Sequence, residues 1–441
     1  MHSQPYTGQE ELSAARRQRP AFRVFRAAAA SCLLFLVLGL LLAACGGSSA
    51  NNSGSNSSND KITLTMLDYL GTEPANSEIN KLIKNYESLH PNVTIKRDSV
   101  PIGSLITKAS QETASHTLPS LMIIDNPDLP TFASTGALTQ LDQYMTGDLS
   151  AANFYAGSLS TMQYQGKTYA ISTGNNDLAL FYNKKMFADA GLQPPTTWAD
   201  LEADAAKLTK GNTYGFAMSA PATEEGSWQF EPFLWSNGAD LDKVDSAQGT
   251  QALQFLANLV QKGYMSKAAL NWGQGDVLTQ FEEGHAAMME NGPWNLSLLK
   301  KAGTDYGVVP LPVPASSAKP VSPLGGEIWT IPQTDQQHEQ AAWDFLKWLL
   351  EPAQVVDYDT VQGYMPPLKA VSQQVLQSNP DLQVFTDELN TARARTAVVG
   401  AKYPSISQAI WTAEQAALSG SQTPQAALTQ AQQSIDKILK G

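Results

Sequence analysis

The chain is short of cysteine, histidine and basic side chains, and each shortage removes a class of chemistry. Only two cysteines, Cys32 and Cys45, stand in 441 residues. The five histidines are His2, His90, His116, His285 and His338, and no two lie four apart. A helical zinc pair is therefore missing, and neither a metal nor a cofactor is expected. No Gly-x-Ser-x-Gly elbow occurs to expose a nucleophilic serine. Lys and Arg total 29 against 41 Asp and Glu, for a net charge of −12. Such an acidic balance argues against nucleic acid, whose phosphates call for Lys and Arg. It also disfavours broad contact with anionic lipid. There is no internal repeat of fixed period.

Long apolar runs are equally scarce: one matters, Ala27 to Ala44, broken only by Ser31 and Gly39. Arg16, Arg17, Arg19, Arg23 and Arg26 precede it, and it ends in Leu42-Ala43-Ala44-Cys45. Positive, then apolar, then small residues is the order of a bacterial export signal. The Cys after Leu-Ala-Ala resembles a bacterial lipobox, which implies cleavage after residue 44 and two acyl chains on Cys45. Two chains anchor stably where one does not. The competing reading is a retained transmembrane helix, since the run is near the lower limit for spanning a bilayer. The arginines hold the N-terminal end in the cytoplasm either way, so the rest of the chain is expected outside. Residues 45–60 carry Gly, Ser and Asn and read as a flexible tether, with a reach of about 20 Å by coil scaling. With Cys32 in the signal and Cys45 acylated, no disulfide is expected beyond them. The remaining chain exceeds one compact core and implies two lobes. It holds all nine Trp residues, side chains suited to core packing or to stacking on an apolar ligand face.

Hydrophobic spacing predicts the elements. Ile62–Met66 reads as a strand. Asn76/Ser77 opens a helix with Ile79, Leu82, Ile83, Tyr86 and Leu89 on one stripe. Val93–Ile95 is a strand, 102–115 a helix, and Leu121–Ile124 a strand apolar on both faces. This β-α-β-α-β order implies an α/β layer fold with a largely parallel sheet. Ligands in such sheets sit beyond the carboxyl ends of strands, here at Asp68–Glu73 and Asp125–Asp128. Further helices are expected over 198–208, 248–262, 276–283 and 338–350. A last one starts at Thr423-Pro424, with Thr as cap and Pro at the first position. Gly166-Lys167-Thr168 is superficially like a phosphate loop, but position 161, where a Gly is required, is Thr. It reads as a hairpin turn.

Several segments taken in order carry a more specific signal. They are Tyr86-Glu87…Pro91-Asn92-Val93-Thr94-Ile95, then Leu118-Pro119-Ser120…Asp125, then Gly166…Ile171 leading to Ala179-Leu180-Phe181-Tyr182-Asn183-Lys184. Pro195-Thr196-Thr197-Trp198, Phe281-Glu282-Glu283-Gly284, Gly292-Pro293-Trp294 and Gly325-Gly326-Glu327 follow, and Gly363-Tyr364-Met365-Pro366 comes last. Together the chain resembles the solute-binding proteins of carbohydrate ABC importers, the maltose-binding-protein-like family, over nearly all of residues 60–440. That resemblance implies two discontinuous α/β lobes, 61–172 with 313–357 and 173–312 with 358–441. Crossings are placed near 172–177, 311–314 and 356–362. It implies a carbohydrate held between the lobes, ABC permease subunits as partners, and a monomer.

A sugar presents apolar C–H faces to aromatic rings and hydroxyls to carboxylates, amides and Arg. Trp228 stands in an aperiodic stretch, Glu224–Glu231, read as a loop; the resemblance puts a stacking Trp there. Trp294 follows an apolar strand. Asp125 and Asn126 end the buried strand, with an Asx turn before Pro127 as the alternative. Glu73 sits on the first loop. Asn176 is preferred among Asn175, Asn176 and Asp177. Gly326 and Glu327 lie where Gly-Gly permits close backbone approach, and Tyr364 in the third crossing caps the sugar. Among Arg393, Arg395 and Lys402, Arg395 is the choice to fork a hydroxyl pair, although surface salt bridging is the commoner fate of such residues. Two other readings stand beside this one. A glycerol-phosphate-type ligand would draw on that basic cluster. A lipid-anchored glycoside hydrolase needs only two carboxylates, although no barrel repeat supports it.

Overall fold

The computed structural model describes residues 61–389 and 391–441; the signal segment, Cys45 and the tether expected within residues 1–60 lie outside the described residues. No helix among the described residues is long and apolar enough to cross a membrane. Two main sheets, of five and three strands, are each wrapped by helices with a cleft between them, and two further pairs of short strands accompany them.

The first sheet has five strands in the order Val93–Ser99, Ile62–Asp68, Leu121–Asp125, Glu327–Thr330, Ala170–Ser172. The first three are parallel, and Glu327–Thr330 runs antiparallel to both its neighbours. Successive side chains of a strand point to opposite faces, and Leu121–Ile124 is fully buried on both. Leu121 and Ile123 join Ile79, Leu82, Trp329 and Phe345 in one core, while Met122 and Ile124 join Leu105, Phe132 and Ile328 in the other. Each such side chain contributes roughly 1.5–3 kcal/mol by leaving water. The stripe expected on the first helix is buried at Ile79, Leu82, Ile83 and Tyr86; Leu89 instead faces solvent.

The second sheet is wholly antiparallel, in the order Met288–Asn291, Ala179–Asn183, Tyr306–Val309. Of these two sheets only the first has parallel strand pairs; elsewhere Pro323–Leu324 pairs in parallel with Arg393–Ala394, and Ala217 bridges Met289 in parallel. Leu180 and Met288 face a large core with the Glu224–Ser236, Ala247–Gln261, Tyr403–Ser419 and Pro424–Lys440 helices. Phe181 and Met289 face a smaller one. The last helix starts as expected, with the Thr423 hydroxyl accepting from the Ala426 N–H at 3.3 Å. Residues 163–168 form the expected hairpin, its turn at Gln165 and Gly166 in the left-handed region.

Three passages join the two halves. The chain leaves the first sheet at Ser172 and enters the second at Ala179. A return is expected near 311–314. Val313 is still held to the Thr196–Trp198 segment, donating to Thr196 O at 3.1 Å and accepting from Trp198 N at 2.8 Å. Gly325 pairs with Asn176, and the first sheet resumes only at Glu327. In the third passage Tyr364 packs in a core of the first sheet and Met365 in a core of the second. Met365 exchanges both backbone hydrogen bonds with Asn175, at 2.7 and 2.9 Å.

Candidate functional site

Where the passages meet, the two halves enclose a cavity of about 600 Å³. One wall comes from the first sheet. Its floor is the register that sets Asp125 directly opposite Glu327 across antiparallel strands. Above it lies the loop from Tyr69 to Ala75. Arg97 pins that loop: it grips both oxygens of Asp68 at 2.6 and 2.8 Å and takes the Leu70 carbonyl at 2.6 Å. The other wall comes from the N-terminal turn of the Glu224–Ser236 helix, the turn at Gly273–Asp276 and the Trp294–Leu298 segment.

Trp228 is on that helix, not in a loop. Every residue from Gly226 to Trp235 is buried, Ser227, Gln229 and Glu231 included, so the helix lacks the exposed polar face that marks an amphipathic period. Trp228 lines the cavity, and the Arg395 guanidinium lies 4.4 Å from its ring centroid. Arg395 is not a surface residue: its side chain is 2% exposed. Its Nη1 and Nη2 bond the two Asp125 oxygens at 2.7 and 2.5 Å, and Nη1 also bonds Glu224 at 2.9 Å. One guanidinium therefore ties the end of a first-sheet strand to a helix of the second half. Burial pulls the Arg395 pKa down, but Asp125, Tyr403 and Glu224 outweigh it and the net shift is well upward. Burial also raises the Glu224 carboxyl, opposed by Arg395. Behind Glu224, the Tyr403 hydroxyl bonds Glu224 at 2.5 Å and Glu231 at 2.8 Å.

Glu73, Asp125, Asn176, Trp228, Trp294, Gly326, Glu327, Tyr364 and Arg395 all line this cavity. Asn126 does not. Its buried amide donates to the Leu324 and Gly326 carbonyls at 3.3 and 3.1 Å, holding the glycine segment in place. Its backbone N–H donates to the Asp125 carboxylate at 2.9 Å, one residue on; this is not an Asx turn, because the residue two on is Pro127, which has no N–H. The two glycines pack against protein. A Cβ on Gly325 would come within 2.1 Å of Asn176 Oδ1, and one on Gly326 (φ +124°) within 2.5 Å of Gly174 O. Trp294 packs against cores of both halves. Glu327 takes the Tyr69 hydroxyl at 3.2 Å, and burial raises its pKa. Burial, then the charges of Glu327 and Asp125, push the Tyr69 hydroxyl well up.

Tyr69, Glu224, Glu225, Gln274, Asp276 and Gln362 also line the cavity and were not singled out from sequence. A helical reading of 224–236 would have found two of them, because Glu224 and Glu225 precede Trp228 by four and three positions and share its face. Asp276 caps its turn by accepting from the Gly273 N–H at 3.0 Å. Among the described residues no group of three or more His, Cys, Asp or Glu is placed to hold a metal.

Residues 81–384 match the family of bacterial extracellular solute-binding proteins. A putative binding protein of Brucella abortus is 26% identical over 393 residues, covering 86% of this chain and 93% of its own. The maltotriose-binding protein of Pyrococcus abyssi is 30% identical over 275 residues, covering 57% of this chain and 55% of its own. Among solved structures, an ABC transporter solute-binding protein of Thermotoga lettingae bound to α-D-tagatose superposes with a TM-score of 0.78 at 27% identity, over 86% of this chain and 99% of that one.

Proposed function

The chain belongs to the bacterial extracellular solute-binding proteins, and on that premise we propose that it captures a saccharide in the interlobe cleft and delivers it to an ABC permease. The observation that carries this reading is the composition of the cavity wall. Trp228 and Trp294 offer apolar surface, and Asp125, Asn176, Glu225 and Glu327 offer hydrogen-bonding oxygens. Stacking on C–H faces and acceptance from hydroxyls are the two things a sugar requires. Glu73, Gly326 and Tyr364 complete the wall. Arg395 acts by holding Asp125 and Trp228 in place, and Asn126 by shaping the glycine segment. A ligand touching both walls favours the closed arrangement by its higher affinity for it.

We place the first lobe at 61–172 and about 327–371, and the second at 173–326 with the C-terminal helices; Tyr364, Leu368 and Val371 in the cores of the first sheet support this. These bounds differ from those expected at 312 and 357; the bonding of Val313 beside Trp198 supports the later one. The glycerol-phosphate reading loses its cations. Arg395 is held by Asp125 and Glu224, Arg393 by Asp240 at 2.8 Å, and Lys402 bonds the Leu439 carbonyl. The protein acts as a monomer at the outer face of the membrane, anchored by lipid on Cys45 after loss of residues 1–44. Cys45→Ala is expected to shed the protein into the medium or leave it uncleaved; acylation of that variant would contradict the anchor.

Titration calorimetry against neutral oligosaccharides tests the binding reading. Heat of binding with the sugar recovered intact is expected. Trp228→Ala and Trp294→Ala each weaken affinity by roughly 1–3 kcal/mol, the usual loss for an anchoring aromatic. Turnover of the sugar would move the protein to the hydrolase reading, and unchanged affinity in both variants would remove the site.

A further inference from the structure

The cavity wall is lopsided in charge. It carries six carboxylates, Glu73, Asp125, Glu224, Glu225, Asp276 and Glu327, and a single guanidinium, Arg395. Arg395 is consumed by two of the six, Asp125 and Glu224. Glu225, next in sequence, turns to the Gly273–Asp276 turn instead. Its Oε2 accepts from the Gln274 N–H at 3.1 Å and from the Ser219 hydroxyl at 3.2 Å. Asp276 caps the same turn, and its charge adds to burial in raising the Glu225 pKa. Neither carboxylate is ion-paired among the described residues. Glu327 is 8% exposed and has only hydroxyls, those of Tyr69 and Tyr364, as side-chain donors. The partial charge of about one half at the start of the Glu224–Ser236 helix offsets only part of this excess.

Hydroxyls on a neutral ligand satisfy acceptors but leave the negative charge uncompensated in a partly dry cavity. An ammonium group does both, through charge-assisted hydrogen bonds. A carboxylate or phosphate on the ligand is repelled. We infer that the cleft selects its saccharide by charge, favouring one that bears a protonated amine, with Glu225 and Asp276 as the residues that set this preference. The inference rests on the saccharide reading and narrows it.

Calorimetry of the full chain with matched oligosaccharides of glucose, glucosamine and glucuronic acid, at low and high salt, separates the two. The glucosamine oligomer is expected to bind roughly ten-fold more tightly than the glucose oligomer, the scale of one charge-assisted hydrogen bond. High salt should shrink that ratio, and the glucuronic acid oligomer should bind weakest. In Glu225→Gln with Asp276→Asn the ratio should fall toward one. The salt dependence of the unaltered protein supplies a readout that needs no variant to fold. Binding of the glucose oligomer with no gain for the amine, or equal binding of the acid, overturns the charge preference and leaves the saccharide reading standing. No binding of any of the three overturns both.

Discussion

Buried charge is handled in two ways around the cleft, as Asp68 beside the first sheet and Glu290 beside the second show. At the end of the first strand, Asp68 is fully buried but matched. Arg97 forks it, and Ser99 and the Leu70 N–H add bonds at 2.7 and 2.8 Å. Around the second sheet, Glu290 and Glu414 are also fully buried, yet no oxygen of either carboxyl meets a donor among the described residues. Asp177 and Glu388, where the passages meet, share that condition. Burial raises all four carboxyls well above their usual range; facing acids add to it, Glu414 on Glu290 and Glu388 on Asp177. A lone buried carboxylate is too costly to stay ionised, so it keeps its proton. Asp68 thus relies on a geometric match and the four acids on protonation, as does Asp359 beside the first sheet, whose two oxygens also meet no donor.

Breaking the match is expected to have the largest effect. Arg97→Met leaves Asp68 buried and uncompensated, at a cost of roughly 3–5 kcal/mol, measured as a shift in the urea midpoint. The Tyr69–Ala75 loop loses its pin at the same time, so saccharide affinity should fall too. An unshifted midpoint would show that the pair contributes nothing.

The second effect is one of pH. A carboxyl whose folded pKa lies above its unfolded value stabilises the fold below the unfolded value of about 4. That stability is lost as pH rises through the folded pKa. Each such group contributes a slope of up to about 1.4 kcal/mol per pH unit in that window. Stability is therefore expected to decline from mildly acidic toward alkaline pH, and Glu290→Gln with Glu414→Gln should flatten the decline. An identical slope in the double variant would mean that these acids are not its source. The smallest effect is a control. Thr423→Ala removes an uncharged helix cap in the same half at about 1 kcal/mol, with the same loss at every pH in thermal unfolding.

Much of the first half was legible from sequence because its helices are amphipathic and its strands are bounded by turns. Ile79, Leu82, Ile83 and Tyr86 announce a helix, and Leu121 to Ile124 a buried strand, through spacing alone. Trp228 was misread because its helix is buried all round, polar residues included, and contains Pro232, so neither period nor propensity marks it. The antiparallel second sheet was missed for a related reason. Met288–Asn291 and Tyr306–Val309 are four-residue strands, too short to show which neighbour they pair with. Nine of the ten residues chosen for the cavity do line it. Most lie at strand ends and glycine turns, where the topology of an α/β sheet places ligands, whereas Trp228 lies within a helix.

The sequence by itself determined the order of elements, the acidic balance and the chemistry available to the cavity. It also carries the export pattern ending at Cys45, which lies before the described residues. Only the tertiary structure decided which charges are spent. Arg395 reads as a free cation in sequence, yet it meets Asp125 from 270 positions away and Glu224 from 171. Local spacing cannot report such partners, since packing of sheets and helices sets the distances on which ion pairing and desolvation depend.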